Sequence, residues 1–200
     1  ADAALPPASM SKLMTINMLF EAMRDGRVTP ETTFAVSSRA KAMGGSTMFL
    51  NETDRPTVSD LIHGMIINSG NDACVVVAEG LAGTEEAFAQ LMNAYAARIG
   101  MKNSHFENAT GLSGPEHYST ARDLAILGRA MVRDFPEEYK LFASRGMTFR
   151  GMKFRGHNAF LVQYPGADGI KTGYTQAAGY NIVTSATDGN RRLVGVVLGA

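Results

Sequence analysis

From Ser9 to Met23 the apolar residues Leu13, Met14, Ile16, Met18, Leu19, Phe20 and Met23 recur at helical spacing and occupy more than one face. Pro6-Pro7 precedes this run and Asp25-Gly26 closes it, so the pattern predicts a largely buried helix with Ser9 at its N-terminus. A loop-rich stretch follows through Gly44-Gly45-Ser46-Thr47. Thr57-Val58-Ser59-Asp60 then caps a second helix carrying Leu61, Ile62, Met65 and Ile66. Ser69-Gly70-Asn71 interrupts the periodicity, and Asp72 is placed to cap a third helix from Ala73 to about Leu81. Thr84-Glu85-Glu86 opens a fourth, which runs to about Ile99 and stops at Gly100. Asn103 to Tyr118 is polar loop, and Ser119-Thr120-Ala121-Arg122-Asp123 starts a helix bearing Leu124, Ile126, Leu127 and Met131.

After Ser144 the period shortens. Met147 to Phe154, Gly169 to Thr172, Tyr180 to Ala186 and Arg192 to Leu198 read as strands, and Asp188-Gly189-Asn190 as a hairpin turn between the last two. The order of elements predicts an α+β fold, an antiparallel sheet flanked by helices, with a helical lobe at about 45–145 ahead of sheet strands at 147–200. No repeat or low-complexity tract interrupts it.

Composition narrows the function classes. The chain has 200 residues, 45% of them hydrophobic, enough to bury a sizeable core. Nineteen basic residues balance nineteen acidic ones, and no basic cluster exceeds Arg191-Arg192, which excludes a general electrostatic grip on nucleic acid. One cysteine rules out an internal disulfide and any cysteine-based metal site. His63, His105, His117 and His157 have no ligand spacing, so neither a metal nor a cofactor is expected. Cys74 and the methionines at 10, 14, 18 and 23 read as core. No apolar run approaches the roughly 18 residues that span a bilayer. The first residues lack the pattern of a signal peptide and the last stop at the end of a strand, so both ends read as cut.

Three short patterns carry chemistry. Ser9-Met10-Ser11-Lys12 puts a hydroxyl and an amine three residues apart, on one face of a helix start. Serine is a weak nucleophile that needs a base, and a lysine supplies one when burial and nearby positive charge depress its pKa. A second Ser-x-x-Lys at Ser38-Arg39-Ala40-Lys41 sits in a small, polar segment and reads as structural. Ser69-Gly70-Asn71, on a turn between helices, offers a hydroxyl for proton relay and an amide for a peptide group. Lys171-Thr172-Gly173, on a strand, offers an amine and a hydroxyl at a sheet edge where glycine permits close backbone approach.

Taken together, Pro7-Ala8-Ser9-Met10-Ser11-Lys12-Leu13-Met14-Thr15, Ile67-Asn68-Ser69-Gly70-Asn71-Asp72-Ala73-Cys74 and Asp168-Gly169-Ile170-Lys171-Thr172-Gly173-Tyr174-Thr175, followed by Ala178-Gly179-Tyr180-Asn181, resemble the D-alanyl-D-alanine carboxypeptidases among the low-molecular-mass penicillin-binding proteins. The resemblance extends through Gly45-Ser46, Phe106 to Gly111 and Ser119 to Leu124. It implies a β-lactamase/transpeptidase-like fold with the active site between sheet and helical lobe, and makes residues 1–200 a catalytic domain trimmed at both ends. It further implies strands ahead of Ala1 and a substrate-binding arginine beyond Ala200. Ser9 would be acylated by the penultimate D-alanine of a peptidoglycan stem peptide, Lys12 would be the base, and Ser69 would relay a proton to the leaving D-alanine. Asn71 would bind the substrate peptide group, and Lys171 and Thr172 the terminal carboxylate. Gly173 lets the strand approach, and the backbone N–H groups of Ser9 and Tyr174 would form the oxyanion hole. Relatives often have His where this chain has Tyr174, whose side chain is expected to shape the cleft.

The same resemblance makes β-lactam antibiotics acylating partners, and places the protein outside the cytoplasmic membrane, in the periplasm or on the membrane's outer face, with membrane contact only through a segment this chain does not include. Two other readings stay open on the residues alone. A class A-like β-lactamase carries a Glu-x-x-Leu-Asn element for deacylation, and the nearest string here, Glu138-Tyr139-Lys140-Leu141-Phe142, ends in Phe. A non-catalytic fragment that binds peptidoglycan or β-lactams is the third.

Overall fold

The computed structural model describes residues 1–200. A 3-10 turn, Ala8–Ser11, leads directly into α1, Lys12–Arg24. Nine of the thirteen α1 residues are buried, Lys12, Thr15 and Asn17 among them, so no broad face is left for water and the helix runs through the interior. The sequence pattern places one helix from Ser9; in the structure Ser9 lies inside the tighter turn. Ala8, with φ at +48°, sends the backbone into that turn from the left-handed region.

The four-residue α2, Ser38–Lys41, is capped by the Ser37 hydroxyl. It holds the second Ser-x-x-Lys, with Ser38 and Lys41 exposed. Thr57 and Asp60 close a reciprocal capping box on α3, Val58–Asn68. Ser69 ends it at φ +53°, and α4, Asn71–Ala82, starts two residues later, with Asn71 through Ala78 all buried. Thr84 caps α5, Glu85–Ile99, which Gly100 terminates at φ +93°. Thr120 caps α6, Ala121–Asp134, whose buried stripe of Leu124, Leu127 and Met131 faces the core. A further 3-10 stretch spans Glu138–Ala143.

Asp72 does not cap a helix in the way its position suggests. Its carboxylate is fully buried and accepts the backbone N–H groups of Met48 and Leu50 at 2.9 and 3.0 Å, as well as that of Ala73. The start of α4 therefore holds the loop around residues 46–50 in place.

The run Met147 to Phe154 is two strands rather than one. β1, Gly146–Phe149, and β2, Met152–Arg155, form a hairpin that turns at Arg150-Gly151, both with positive φ. This hairpin is its own two-stranded sheet packed on α3, so it belongs with the helices and not with the later strands. After a one-turn helix, α7, Phe160–Gln163, comes the main sheet: β3, Ala167–Thr175, β4, Gly179–Asp188, and β5, Arg191–Val197, an antiparallel meander in sequence order. Lys171 pairs with Val183, and Gly189-Asn190 forms the two-residue turn into β5. Asn181, Val183 and Ser185 alternate inward along β4, as a half-buried strand requires. Gly128 of α6 lies against Val194, Ile170 and Val183, which seats that helix on the inner sheet face. A single continuous core runs from Met10 of the first turn to Val183 of the sheet. No helix is long and apolar enough to cross a membrane.

Candidate active site

Ser9 stands where the first turn, the α3–α4 junction and β3 meet. Its Oγ accepts from Lys12 Nζ at 3.1 Å and from the Ser69 hydroxyl at 3.0 Å. Spacing along one helical turn sets the first contact; the left-handed Ser69, which stops α3 and aims its side chain back across the interior, sets the second. Two residues in the left-handed region, Ala8 and Ser69, thus flank the same oxygen, a concentration of backbone strain typical of functional sites.

Lys12 is 1% exposed, and its ammonium donates its other bond to the Thr110 carbonyl at 2.7 Å. Burial lowers its pKa from the ordinary lysine value. Lys171 of β3 is 4% exposed, its Nζ donating to the Thr172 carbonyl at 2.7 Å. Burial, reinforced by the charge of Lys12, pushes its pKa down to about 7. Cys74 lies near both amines, but burial drives its thiol up to about 12, so at neutral pH it offers them no countercharge. Neither lysine pairs with a carboxylate. The result is a pair of desolvated amines, one touching a hydroxyl and the other facing a cavity.

That cavity holds about 580 Å³, and Ser9, Ser69, Lys171, Thr172, Gly173 and Tyr174 are all on its wall. A Cβ on Gly173 would come within 2.9 Å of Ser9 Cβ and 3.2 Å of Ser9 N, so only glycine lets β3 run this close to the nucleophile's turn. Tyr174 is 56% exposed and packs on its cross-strand partner Tyr180 at 4.6 Å between ring centres. Asn71 is placed differently from the other motif residues. It is 5% exposed, behind the cavity wall, with Nδ2 donating to the Gly44 carbonyl and its backbone N–H to Ser46. Its Oδ1 remains as the amide's uncommitted acceptor.

The cavity continues past Phe142 and Arg145 to His157 and Asn158. Glu138, the carboxylate of the nearest β-lactamase-like string, is not on its wall. One group that touches the site is absent from the motif reading. The Thr110 carbonyl holds Lys12 through the backbone, which leaves no side-chain signature; the polar character of the loop and the resemblance over Phe106 to Gly111 marked the region but not this carbonyl.

Over residues 1–200 the chain matches the D-alanyl-D-alanine carboxypeptidase family, peptidase S11. The chain belongs to this family. It is 42% identical over 201 residues to the D-alanyl-D-alanine carboxypeptidase DacD of Escherichia coli, covering 97% of this chain and 52% of that protein. The structure of penicillin binding protein 5 from Haemophilus influenzae superposes with a TM-score of 0.95 at 39% identity, over 99% of this chain and 59% of that one. Penicillin-binding protein D2 of Listeria monocytogenes, solved in its ampicillin-bound form, gives 0.90 at 29% identity, over 100% of this chain and 82% of that one. These relatives bear out the family, and the α+β, transpeptidase-like fold, that the motifs imply. The chain spans about half the length of the curated carboxypeptidases it matches.

Proposed function

We propose that residues 1–200 form the catalytic part of a serine-type D-Ala-D-Ala carboxypeptidase that trims the terminal D-alanine from peptidoglycan stem peptides. The observation that carries this reading is the double contact at Ser9 Oγ, from Lys12 Nζ on one side and the Ser69 hydroxyl on the other, at the wall of a cavity that Lys171 also faces. Family membership supplies the substrate class.

In this reading neutral Lys12 takes the Ser9 proton as Oγ bonds to the carbonyl carbon of the penultimate D-alanine. The backbone N–H groups of Ser9 and Tyr174 face the oxyanion, at the point where Gly173 brings β3 against the turn. Ser69 passes its proton to the leaving nitrogen as the C–N bond breaks and takes in its place the proton that Lys12 accepted from Ser9, so Lys12 is neutral again and D-alanine departs. Water then cleaves the Ser9 ester. Lys171, charged, and the Thr172 hydroxyl meet the terminal carboxylate, and Asn71 Oδ1 is the group left to accept from a substrate N–H. β-Lactams present a similar carboxylate and carbonyl and acylate the same oxygen. Stem peptides lie outside the cytoplasmic membrane, so the whole protein works there.

Intact-protein mass spectrometry after exposure to a fluorescent penicillin tests the assignment, together with D-alanine release from diacetyl-Lys-D-Ala-D-Ala. The expected result is one stable adduct on Ser9, absent from Ser9→Ala, and D-alanine release that Ser9→Ala loses. Adduct formation or release that survives Ser9→Ala overturns the nucleophile.

A further inference from the structure

The loop from Asn103 to Tyr118 reaches the catalytic turn at several points. Its Thr110 carbonyl holds Lys12 Nζ, its Ala109 carbonyl accepts from Thr15 Oγ1 at 2.7 Å, and Gly111 lies so close to the Ala8 carbonyl oxygen that a side chain there would overlap it. The remaining contact is of another kind. His117 Nε2 and Ser11 Oγ are 2.7 Å apart, a buried bond between two side chains 106 residues apart in sequence. Ser11 stands between the nucleophile and the base.

The ring's protonation follows from its other partner. The Glu107 backbone N–H donates to His117 Nδ1 at 2.9 Å, and a nitrogen that accepts carries no proton. The ring proton is therefore on Nε2, which donates to Ser11 Oγ. Phe106 packs edge-on against the imidazole at 5.7 Å and fixes its plane. Ser11 immediately precedes α1, a position where serine ordinarily caps the helix, yet its side chain makes no capping bond. The hydroxyl is committed to His117 instead. Burial, with His105 adding to it, pushes the imidazole pKa down to about 4, so the neutral ring persists at neutral pH.

We propose that His117, held as the Nε2–H tautomer, is a positioning residue for the Ser9–Lys12 pair: through Ser11 it pins the turn that carries both groups to the loop whose Thr110 carbonyl holds Lys12. It touches neither substrate nor the reacting atoms. Without this tie the turn is joined to the loop by the close approach of Gly111 to Ala8, and α1 by the bonds of Lys12 and Thr15 to the Thr110 and Ala109 carbonyls, so the Nζ to Oγ separation is free to drift. The inference rests on Ser9 being the acylated nucleophile.

The test compares wild type, Ser11→Ala, His117→Leu, His117→Gln and the Ser11→Ala/His117→Leu double variant. The readouts are the rate of Ser9 acylation by fluorescent penicillin, kcat and KM on diacetyl-Lys-D-Ala-D-Ala, and the melting temperature. Ser11→Ala and His117→Leu are each expected to slow acylation and lower kcat by about tenfold to a hundredfold, because a small misplacement of reacting groups is enough for that, with KM nearly unchanged. The double variant should lose no more than the worse single one, since both remove one tie. His117→Gln, whose amide N–H can reach Ser11, should recover most of the rate. A purely structural histidine would lower the melting temperature and leave the acylation rate of the folded fraction at the wild-type value. That outcome overturns the proposal, as do additive losses in the double variant or failure of glutamine to rescue. If His117→Leu does not fold, Ser11→Ala decides alone: a wild-type acylation rate overturns the tie, and a tenfold loss supports it. A wild type that takes no adduct on Ser9 sinks the nucleophile reading first, and is told apart because no variant is then needed to see it.

Discussion

Lys12 and Lys171 are both withdrawn from water without a carboxylate to meet them, and the fold uses the two differently. Lys12 is lowered so that its neutral form is within reach as a base, and removing it by Lys12→Ala should cut the acylation rate by about a hundredfold or more. Lys171 must instead be charged when substrate arrives. With its pKa at about 7, the free enzyme loses its positive charge as pH rises through neutrality, and its attraction for a carboxylate fades. The expected outcome is an alkaline fall in kcat/KM with a midpoint near 7. The limb should be weaker in kcat, because a bound carboxylate restores the proton. Lys171→Arg keeps its charge throughout and should abolish that limb, whatever it does to the absolute rate. The motif lysines were legible in the sequence because side-chain identity carries their chemistry. The Thr110 carbonyl was not, since any residue supplies one, and spacing does not reveal that the Asn71 amide, expected to bind the substrate peptide group, is turned towards Gly44.

Among the elements, helix ends were the most legible feature. Thr57, Thr84 and Thr120 cap their helices and Gly100 stops one, all through bonds within a few residues of the cap. What escaped depends on distant partners. The tight turn at Ala8–Ser11 is shaped by a loop about a hundred residues away, Asp72 is drawn to backbone donors in the 46–50 loop, and the β1–β2 turn puts Arg150 at φ +47° ahead of Gly151, with its guanidinium on Asp54 and the Phe49 carbonyl. The same dependence makes β3 a sensitive element. Gly173→Ala places a methyl within 2.9 Å of Ser9 Cβ and 3.0 Å of Met10 Cε, so the strand and the turn must part. Penicillin acylation should fall by about tenfold or more while the far-UV circular dichroism stays that of the wild type. An unchanged acylation rate would show that β3 is free to yield without disturbing the nucleophile.

At the scale of the whole molecule, burial of His117 and Lys171 makes stability rise with pH, while burial of the Cys74 thiol acts the other way above its ordinary value of 9.0. A folded pKa below the unfolded one means that the unfolded chain holds more protons between the two values, so stability rises with pH across that window. His117 contributes from about 4 to its ordinary 6.5, and Lys171 from about 7 to its ordinary 10.5. The melting temperature should therefore climb from about pH 4 to 6.5 and again from about pH 7 to 9, above which the buried Cys74 thiol offsets the rise. Lys171→Met replaces an unpaired buried amine by an apolar chain of similar length, and should melt higher than wild type at pH 6, flatten the rise above pH 7, and lose carboxylate recognition. A lower melting temperature for that variant would mean that the amine is better solvated than its 4% exposure indicates.

The Asp72 carboxylate gives the molecule an internal clock that can be read from outside. Loop amides ordinarily trade their hydrogens with solvent quickly, but those of Met48 and Leu50 are bonded to a side chain at the first turn of a buried helix. They cannot be released until that carboxylate moves, and it is anchored where α4 begins. In deuterated water these two amides should therefore exchange on the slow timescale of α4 itself, well behind the loop residues beside them, and Asp72→Ala should bring them back to the rate of an ordinary loop.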